Sequence, residues 1–393
     1  MKNTLFAVAC FMGASAVAPN VLASDLIVRT SPSESIYANV TNPRFGYKDL
    51  AIHSIGFLNT GSSPITITDV SLALMVSGNA LLTKSVPSQM LLADSADLAN
   101  APLPIFRSFQ LLSEQGENGF FGQNVSFSDD ATLEPNEALV TSKHHFSYDA
   151  DVSSVRVEIK YRDEKGAELS IFKDIEVINH ASPIRYQLPV QGNWFMRALP
   201  GIESHHRLNA ATEFAVDFFK LTEDGRSYAG DRIVAENYPG YGQPVLAAAP
   251  GEVVHIEREA TQDRQAYLPK DGETRQQMGQ RLQRAMMQAF SENPRRAAGG
   301  NLITIRHEQN GQVEYSSYGH LKAGSIQVRV GDKVEAGDTI AEVGDTGDSP
   351  AVHLHFQLNK GPDAFLSESI PVRFGNIRHA ILPAEPGLVV SNN

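Results

Sequence analysis

Two histidines, His353 and His355, stand two residues apart in the run Val352-His353-Leu354-His355-Phe356. Successive side chains of a β-strand point to opposite faces, so both imidazoles project from one face while Val352, Leu354 and Phe356 take the other. On an apolar-backed strand such a pair is placed to share one metal ion, or one metal and one substrate. Neutral imidazole is the commonest protein ligand for zinc, and a carboxylate is a frequent companion. Asp217 offers one. It lies in Phe214-Ala215-Val216-Asp217-Phe218, where burying an unpaired carboxylate is costly, and this makes it a candidate metal ligand. A single strand histidine is more often a satisfied core or surface residue, and a same-face pair alone leaves the two readings about even. The surroundings decide between them.

From Gln243 the chain reads Gln-Pro-Val-Leu-Ala-Ala-Ala-Pro-Gly-Glu-Val-Val, followed by Gly300-Asn301-Leu302-Ile303-Thr304-Ile305-Arg306-His307. Tyr318-Gly319-His320-Leu321, Val330-Gly331-Asp332-Lys333-Val334-Glu335-Ala336-Gly337-Asp338 and Gly344-Asp345-Thr346-Gly347 then precede His353-Leu354-His355-Phe356. No single piece is specific, since Gly-Asp-x-Val hairpins occur in many all-β folds. Their order is specific, and over roughly the C-terminal half of the chain it resembles the lysostaphin-type zinc metallopeptidases, which cut peptide cross-bridges of bacterial peptidoglycan.

The resemblance implies a zinc cofactor held by His355, the second histidine of the His-x-His pair, and by Asp217. Its third ligand is a histidine that the common motif places four residues before the aspartate, but position 213 is Glu. A His-Arg pair followed by an insertion, as in a subset of the family, fits His206-Arg207. His206 is therefore taken as the third ligand, with His205 as its rival and Glu213 as a less favoured substitute. His320 and His353 match the non-ligand active-site pair. Three protein ligands leave an open position for water, whose pKa the metal can lower to about 7. One imidazole then takes the water proton, and the other steadies the developing oxyanion or protonates the leaving amine; which does which stays open. His53, His144, His145, His180, His255, His307 and His379 have no such context, and the adjoining His144 and His145 should face opposite sides of a strand.

The composition is that of an exported globular protein. The 393 residues, 42% hydrophobic and 20% charged, suffice for two domains. Met1-Lys2, the apolar run Leu5 to Val17 and the small-residue site Val21-Leu22-Ala23 predict a signal peptide over residues 1–23. No later stretch approaches the roughly 20 apolar residues of a spanning helix, so a periplasmic or secreted protein without a transmembrane segment is expected. The only cysteine, Cys10, lies inside that signal, which excludes disulfides from the mature chain. The formal charge of −12, or −13 once Lys2 is removed, argues against nucleic acid and against long-range capture of anionic polymers.

Residues 25–179 alternate apolar and polar side chains in short runs. In one of them Val155, Val157, Ile159 and Tyr161 share a face opposite Arg156, Glu158 and Lys160. Asp163-Glu164-Lys165-Gly166 then turns the chain into Leu169 to Val177, a hairpin signature. Strands at this spacing predict an immunoglobulin-like β-sandwich acting as an accessory domain. Residues 180–192, with Pro183 and Pro189, read as a linker. For residues 193–386 the resemblance implies a mostly antiparallel β-sheet with a groove, so the whole chain is expected to be mostly β. An insertion at 258–298 carries Met278, Leu282, Ala285, Met286 and Ala289 at helical spacing, predicting an amphipathic helix that ends before Pro294. That stripe reads first as a packing face, and otherwise as a lid or a docking element for a regulatory protein.

The expected function is thus zinc-dependent endopeptidase activity on peptidoglycan peptides. A catalytically silent relative that regulates another wall hydrolase is the alternative, although such relatives lose ligands and this chain keeps Asp217, His320, His353 and His355. A lipoyl- or biotinyl-type carrier is disfavoured, since Lys333 stands at the entry of a strand and not at a hairpin tip.

Overall fold

The alternation in residues 25–178 builds two sheets with one core between them. The computed structural model describes residues 25–42, 47–197, 204–381 and 388–392, so the predicted signal segment and Cys10 lie outside the described residues. In the first sheet Leu26–Ser31, Tyr47–Asn59, Glu137–Tyr148 and Ser126–Phe127 follow in that order, with Asn39–Asn42 beside Tyr47–Asn59. The second runs Ser35–Tyr37, Glu168–Ile178, Ser154–Arg162, Ile65–Val76 and Asn79–Ser85, with Thr132–Leu133 paired to Ile65–Val76. Val155, Val157 and Ile159 are fully buried against Leu50, Ile52 and Phe57 of the first sheet. The expected hairpin is present: Ser154–Arg162 and Glu168–Ile178 pair antiparallel, and the Asp163 carboxylate accepts from the amides of Lys165 and Ala167 at 2.9 and 2.8 Å.

Three helices interrupt this unit: α1 (Ser88–Ala99), α2 (Pro104–Leu111) and α3 (Glu117–Phe121). They cover the outer face of the first sheet, where Leu98, Leu111 and Phe121 pack on Leu58, Ala138 and Val140. Gly56 permits the approach, because a Cβ there would lie 2.5 Å from the Phe121 ring. These helices were not foreseen; each is short, and its apolar residues are too few to establish a helical period.

The C-terminal unit is a ten-stranded antiparallel sheet. Its order is Lys333–Val334, Gly251–Glu257, Asn301–Gln309, Gln312–Leu321, Leu354–Asn359, Val216–Phe219, Asn193–Arg197, Leu388–Ser391 and His379–Ile381, with Ser369–Ile370 beside Leu354–Asn359. Pro244–Leu246 and Thr339–Glu342 form a separate pair. Trp194, Phe214, Phe218, Tyr318, Leu354 and Phe356 fill the core. The stretch expected as a linker contributes to that core through Ile184, Tyr186, Leu188 and Val190, and the Tyr186 hydroxyl donates to buried Glu314 at 2.9 Å. Among the described residues, no helix is long and apolar enough to cross a membrane.

The insertion forms α4 (Arg275–Glu292) and α5 (Pro294–Gly299). Thr274 and Gln277 make a reciprocal capping box at the start of α4, and Pro294 opens α5 where its missing N–H costs nothing. The apolar stripe differs from the expected packing face. Leu282, Ala285, Met286 and Ala289 line an open cleft of ≈ 600 Å³ against residues 259–267, and Met286 stays 39% exposed. Phe290, at the end of the stripe, is buried and meets the Phe106 ring of α2 at 5.2 Å. Phe109 of α2 likewise meets Phe365 at 5.8 Å, so the two units are in contact beside the groove described next.

Candidate metal centre

Strand Leu354–Asn359 lies between Val216–Phe219 and Gln312–Leu321, and the register sets His355 opposite Asp217 on one side and Gly319 on the other. Leu354, Phe356 and Leu358 are fully buried in the core, which turns His355 and Gln357 to the groove face. Asp217 is 4% exposed, and among the described residues its carboxylate meets imidazoles only. His206 Nε2 is 3.1 Å from Oδ2 and His355 Nδ1 is 3.1 Å from Oδ1. His353 Nε2 stands 3.6 Å from Oδ1, and His205 Nε2 3.8 Å from Oδ2. His205 and His206 share the 3-10 turn His205–Leu208, whose start is capped by the Ser204 hydroxyl accepting from the His206 amide. They differ in burial: the His206 side chain is 10% exposed, that of His205 68%.

The tautomer of His355 follows from its other neighbour. The Gln357 amide nitrogen is surrounded by three acceptors, Ala211 O at 3.0 Å, Asn359 Oδ1 at 2.8 Å and Ala364 O at 2.7 Å. The Gln357 oxygen must therefore face His355, where it accepts from Nε2–H at 2.7 Å. A neutral His355 then presents an Nδ1 lone pair to a carboxylate oxygen 3.1 Å away. Two acceptors at that distance need a cation, either a proton or a metal ion.

His320 and His353 are fixed in the other tautomer. His320 donates from Nδ1 to Thr346 O at 2.8 Å, and His353 donates from Nδ1 to Ala351 O at 2.9 Å. Each keeps an Nε2 lone pair free. His320 holds a left-handed backbone, φ 59°, which a non-glycine residue adopts at a cost and which is common at functional sites. His353 stacks on Phe219, centroids 4.9 Å apart, and its ring lies 4.6 Å from that of His320. These residues and α2 line a groove of ≈ 710 Å³, which also receives Phe290 and Phe365.

The electrostatics suit neutral donors around one anion. Burial opposes charge on Asp217, but the imidazoles of His353, His206 and His355 hold its carboxyl well below the ordinary carboxylate range. Burial lowers His206 to about 4 despite Asp217, and it depresses His320 and His353 as well. For His355 burial acts downward too, yet Asp217 and Gln357 leave it above its ordinary value. Proton and metal compete for the same position there.

Residues 283–366 match the sequence model of peptidase family M23. The chain is also similar in structure to the catalytic domain of lysostaphin, the antimicrobial peptidase from Staphylococcus simulans, at 23% identity over 39% of this chain and 73% of that one, TM-score 0.22. A zinc-containing peptidase from Vibrio cholerae matches 83% of this chain and 82% of its own length at 13% identity, TM-score 0.25. A variant of the catalytic domain of the prophage-encoded M23 protein EnpA from Enterococcus faecalis matches 49% and 92% at 17% identity, TM-score 0.24. A segment of the C-terminal unit thus matches the M23 family model, and the solved structures it resembles are distant.

The matched segment contains His320, His353 and His355, whereas the 205–208 turn and Asp217, which sheet pairing sets opposite His355, precede it. His205, His206 and Asp217 place ligand atoms within 4.8 Å of one another, a group able to hold a metal ion, and the mixed N/O donor set suits zinc. Glu213 is not among them. It is buried, accepting from Arg207 Nη1 at 2.5 Å and from His53 Nε2 at 2.8 Å. Nor does Lys333 behave as a carrier lysine, since it pairs with Glu252 on the neighbouring strand. Residue-level reading missed Gln357, although it follows His355 by two and so shares its face. It also missed His53, Phe106 and Phe109, for which no local signal existed.

Proposed function

We propose that this protein is an exported zinc-dependent endopeptidase hydrolysing peptide bonds in bacterial peptidoglycan cross-links. His206, Asp217 and His355 would hold the zinc, His206 being preferred to His205 because it is buried and 0.7 Å nearer to Asp217 Oδ2, at 3.1 against 3.8 Å. Residues 25–179 then form an immunoglobulin-like accessory domain and residues 193–386 the peptidase, interrupted at 258–298. The observation that carries the reading is the pair of opposed acceptors, Asp217 Oδ1 and His355 Nδ1, set in a groove beside two buried imidazoles with free Nε2 lone pairs.

When bound, zinc supplies Lewis acidity toward water and the scissile carbonyl. The protein supplies the rest. Gln357 orients His355, as partners of ligating histidines commonly do. Thr346 and Ala351 fix the Nδ1–H tautomers of His320 and His353, so both present a proton-accepting Nε2. Burial keeps these two imidazoles neutral near pH 7, ready to take a proton from attacking water and return it to the leaving nitrogen. Phe106, Phe109, Phe219 and Phe365 make the groove walls apolar, which excludes water from the reacting centre. The test is digestion of purified peptidoglycan by the protein with and without a zinc chelator, followed by mass analysis. Release of shortened cross-bridge peptides that chelation abolishes is expected; intact cross-links at saturating zinc would overturn the reading.

A further inference from the structure

The turn that carries His206 is held from the other folding unit. Arg207, next to His206, is fully buried, and its guanidinium meets Glu213 Oε1 at 2.5 Å and Asp49 Oδ1 at 3.4 Å. Glu213 in turn accepts from His53 Nε2 at 2.8 Å. Asp49 and His53 belong to strand Tyr47–Asn59 of the N-terminal sandwich, and all four residues are at most 3% exposed.

The strand is irregular where it makes these contacts. Its core-facing side chains are Leu50 and Ile52 before the contact but Ile55 and Phe57 after it, so the alternation reverses between Ile52 and Ile55. In the partner strand Lys143 takes a left-handed backbone, φ 60°, and no partner residue is paired to His53 in an otherwise regular ladder. Such irregularities re-aim side chains and persist where the surroundings demand them. His53 lies on the face of Asp49, opposite Leu50 and Ile52, and points out of the sandwich at Glu213 just where the alternation breaks.

We propose that Asp49 and His53 are positioning residues for the metal centre, acting through Arg207 and Glu213 on His206. The proposal rests on the zinc reading above. Its physical basis is that Arg207 and Glu213 lie inside the segment joining His206 to Asp217, and their ion pair closes that segment on itself. A buried pair of this kind keeps its geometry only while every charge has its partner, since an orphaned buried charge forces rearrangement. His53 gives Glu213 a hydrogen bond, and Asp49 gives Arg207 a second counter-charge at ion-pair distance, both from the sandwich. The sandwich is then part of the metal centre and not a spacer.

Cobalt(II) titration of the full mature chain tests this, read by affinity and by the visible absorption of the bound ion. His53→Leu and Asp49→Asn should weaken cobalt binding by roughly 10- to 100-fold, the usual range for residues that orient ligands, and should alter the spectrum. His53→Gln, which keeps a donor toward Glu213, should restore most of both. Val157→Ala, in the second sheet of the sandwich and packed on the opposite, core-facing side of strand Tyr47–Asn59, should lower stability and leave cobalt affinity unchanged. Wild-type affinity and spectrum in Asp49→Asn and His53→Leu would overturn the proposal, as would equal weakening by Val157→Ala. Should His53→Leu not fold, Asp49→Asn and His53→Gln decide by the same readouts. Absence of cobalt binding by the wild type is a separate outcome, which would remove the zinc reading and this proposal with it.

Discussion

Replacing Gln357 by Leu should uncouple the metal site from the sheet that supports it. Gln357 is 1% exposed, and Leu fills similar space without polar atoms. The change strands two buried acceptors, Asn359 Oδ1 and Ala364 O, and removes the acceptor of His355 Nε2–H. Ala211 O is spared because Asn359 Nδ2 also donates to it, at 2.8 Å. Each stranded acceptor costs about 1–3 kcal/mol, so the apoprotein should lose at least ~2 kcal/mol, a large share of a domain's usual stability of about 5–15 kcal/mol. Freed of its acceptor, His355 can place its proton on Nδ1 toward Asp217, which blocks the ligand atom. Loss of such an orienting partner typically costs about 10- to 100-fold in metal affinity, equivalent to ~1.4–2.8 kcal/mol. Urea unfolding of the apoprotein measures the first effect, and competition with a chromogenic chelator the second. Gln357→Glu separates them: it keeps an acceptor for His355 but turns a second oxygen on Ala364 O and Asn359 Oδ1, so affinity should survive better than stability. Zinc affinity within about twofold of wild type in Gln357→Leu would refute the tautomer argument, whatever the stability.

His320→Ala and His353→Ala should keep zinc and lose about 100- to 10,000-fold in hydrolysis, since neither is needed as a ligand; zinc loss in either would show that ligand and proton carrier have been exchanged. Gly300→Ala should lose activity with zinc retained, because φ is 65° there and a Cβ would come within 2.2 Å of Thr346 O, the carbonyl that holds His320; normal turnover would mean Thr346 does not set that imidazole. His144 is fully buried, and burial, with Lys84 and His145, lowers it from 6.5 to about 4. The unfolded chain therefore takes the proton first on acidification, so stability is intact above pH 6.5 and falls progressively toward pH 4, by up to about 3 kcal/mol. Urea midpoints of His144→Gln should flatten over that interval, and an unchanged slope would assign the acid sensitivity to other groups.

What could be read from residues alone follows the periods that encode it. Period-two alternation located the sandwich strands and the 154–178 hairpin, because one face of each sheet is buried and register is then strongly specified. The same period set His353 and His355 on one face, and ordered motifs brought His320, Asp217 and the His205-His206 pair to the same groove. Helical spacing of the apolar stripe located α4, and Pro294 bounded its end. The choice between His205 and His206 was beyond local signals, since adjacent residues on a 3-10 turn differ only in what surrounds them. Burial, a tertiary property, is what distinguishes them.

The interdomain cluster was illegible for a deeper reason. Asp49, His53, Arg207 and Glu213 come from positions up to 164 residues apart, and each alone has an ordinary reading: a strand carboxylate, a core histidine, a surface arginine, a misplaced ligand. Their meaning depends on two chain units docking, an event with no periodic signature. Glu213 shows this most clearly. At the position where the common motif has a histidine, it read as a less favoured substitute ligand; in the fold it is the anion that holds Arg207, the neighbour of His206 on the same turn. In the proposed site the third ligand sits on a turn and not at position 213, and the contacts that hold that turn come from the sandwich. A Glu213→His variant of the proposed site should therefore still depend on Asp49 for metal affinity, measured by cobalt titration with and without Asp49→Asn, because Arg207 would be left buried against Asp49 alone.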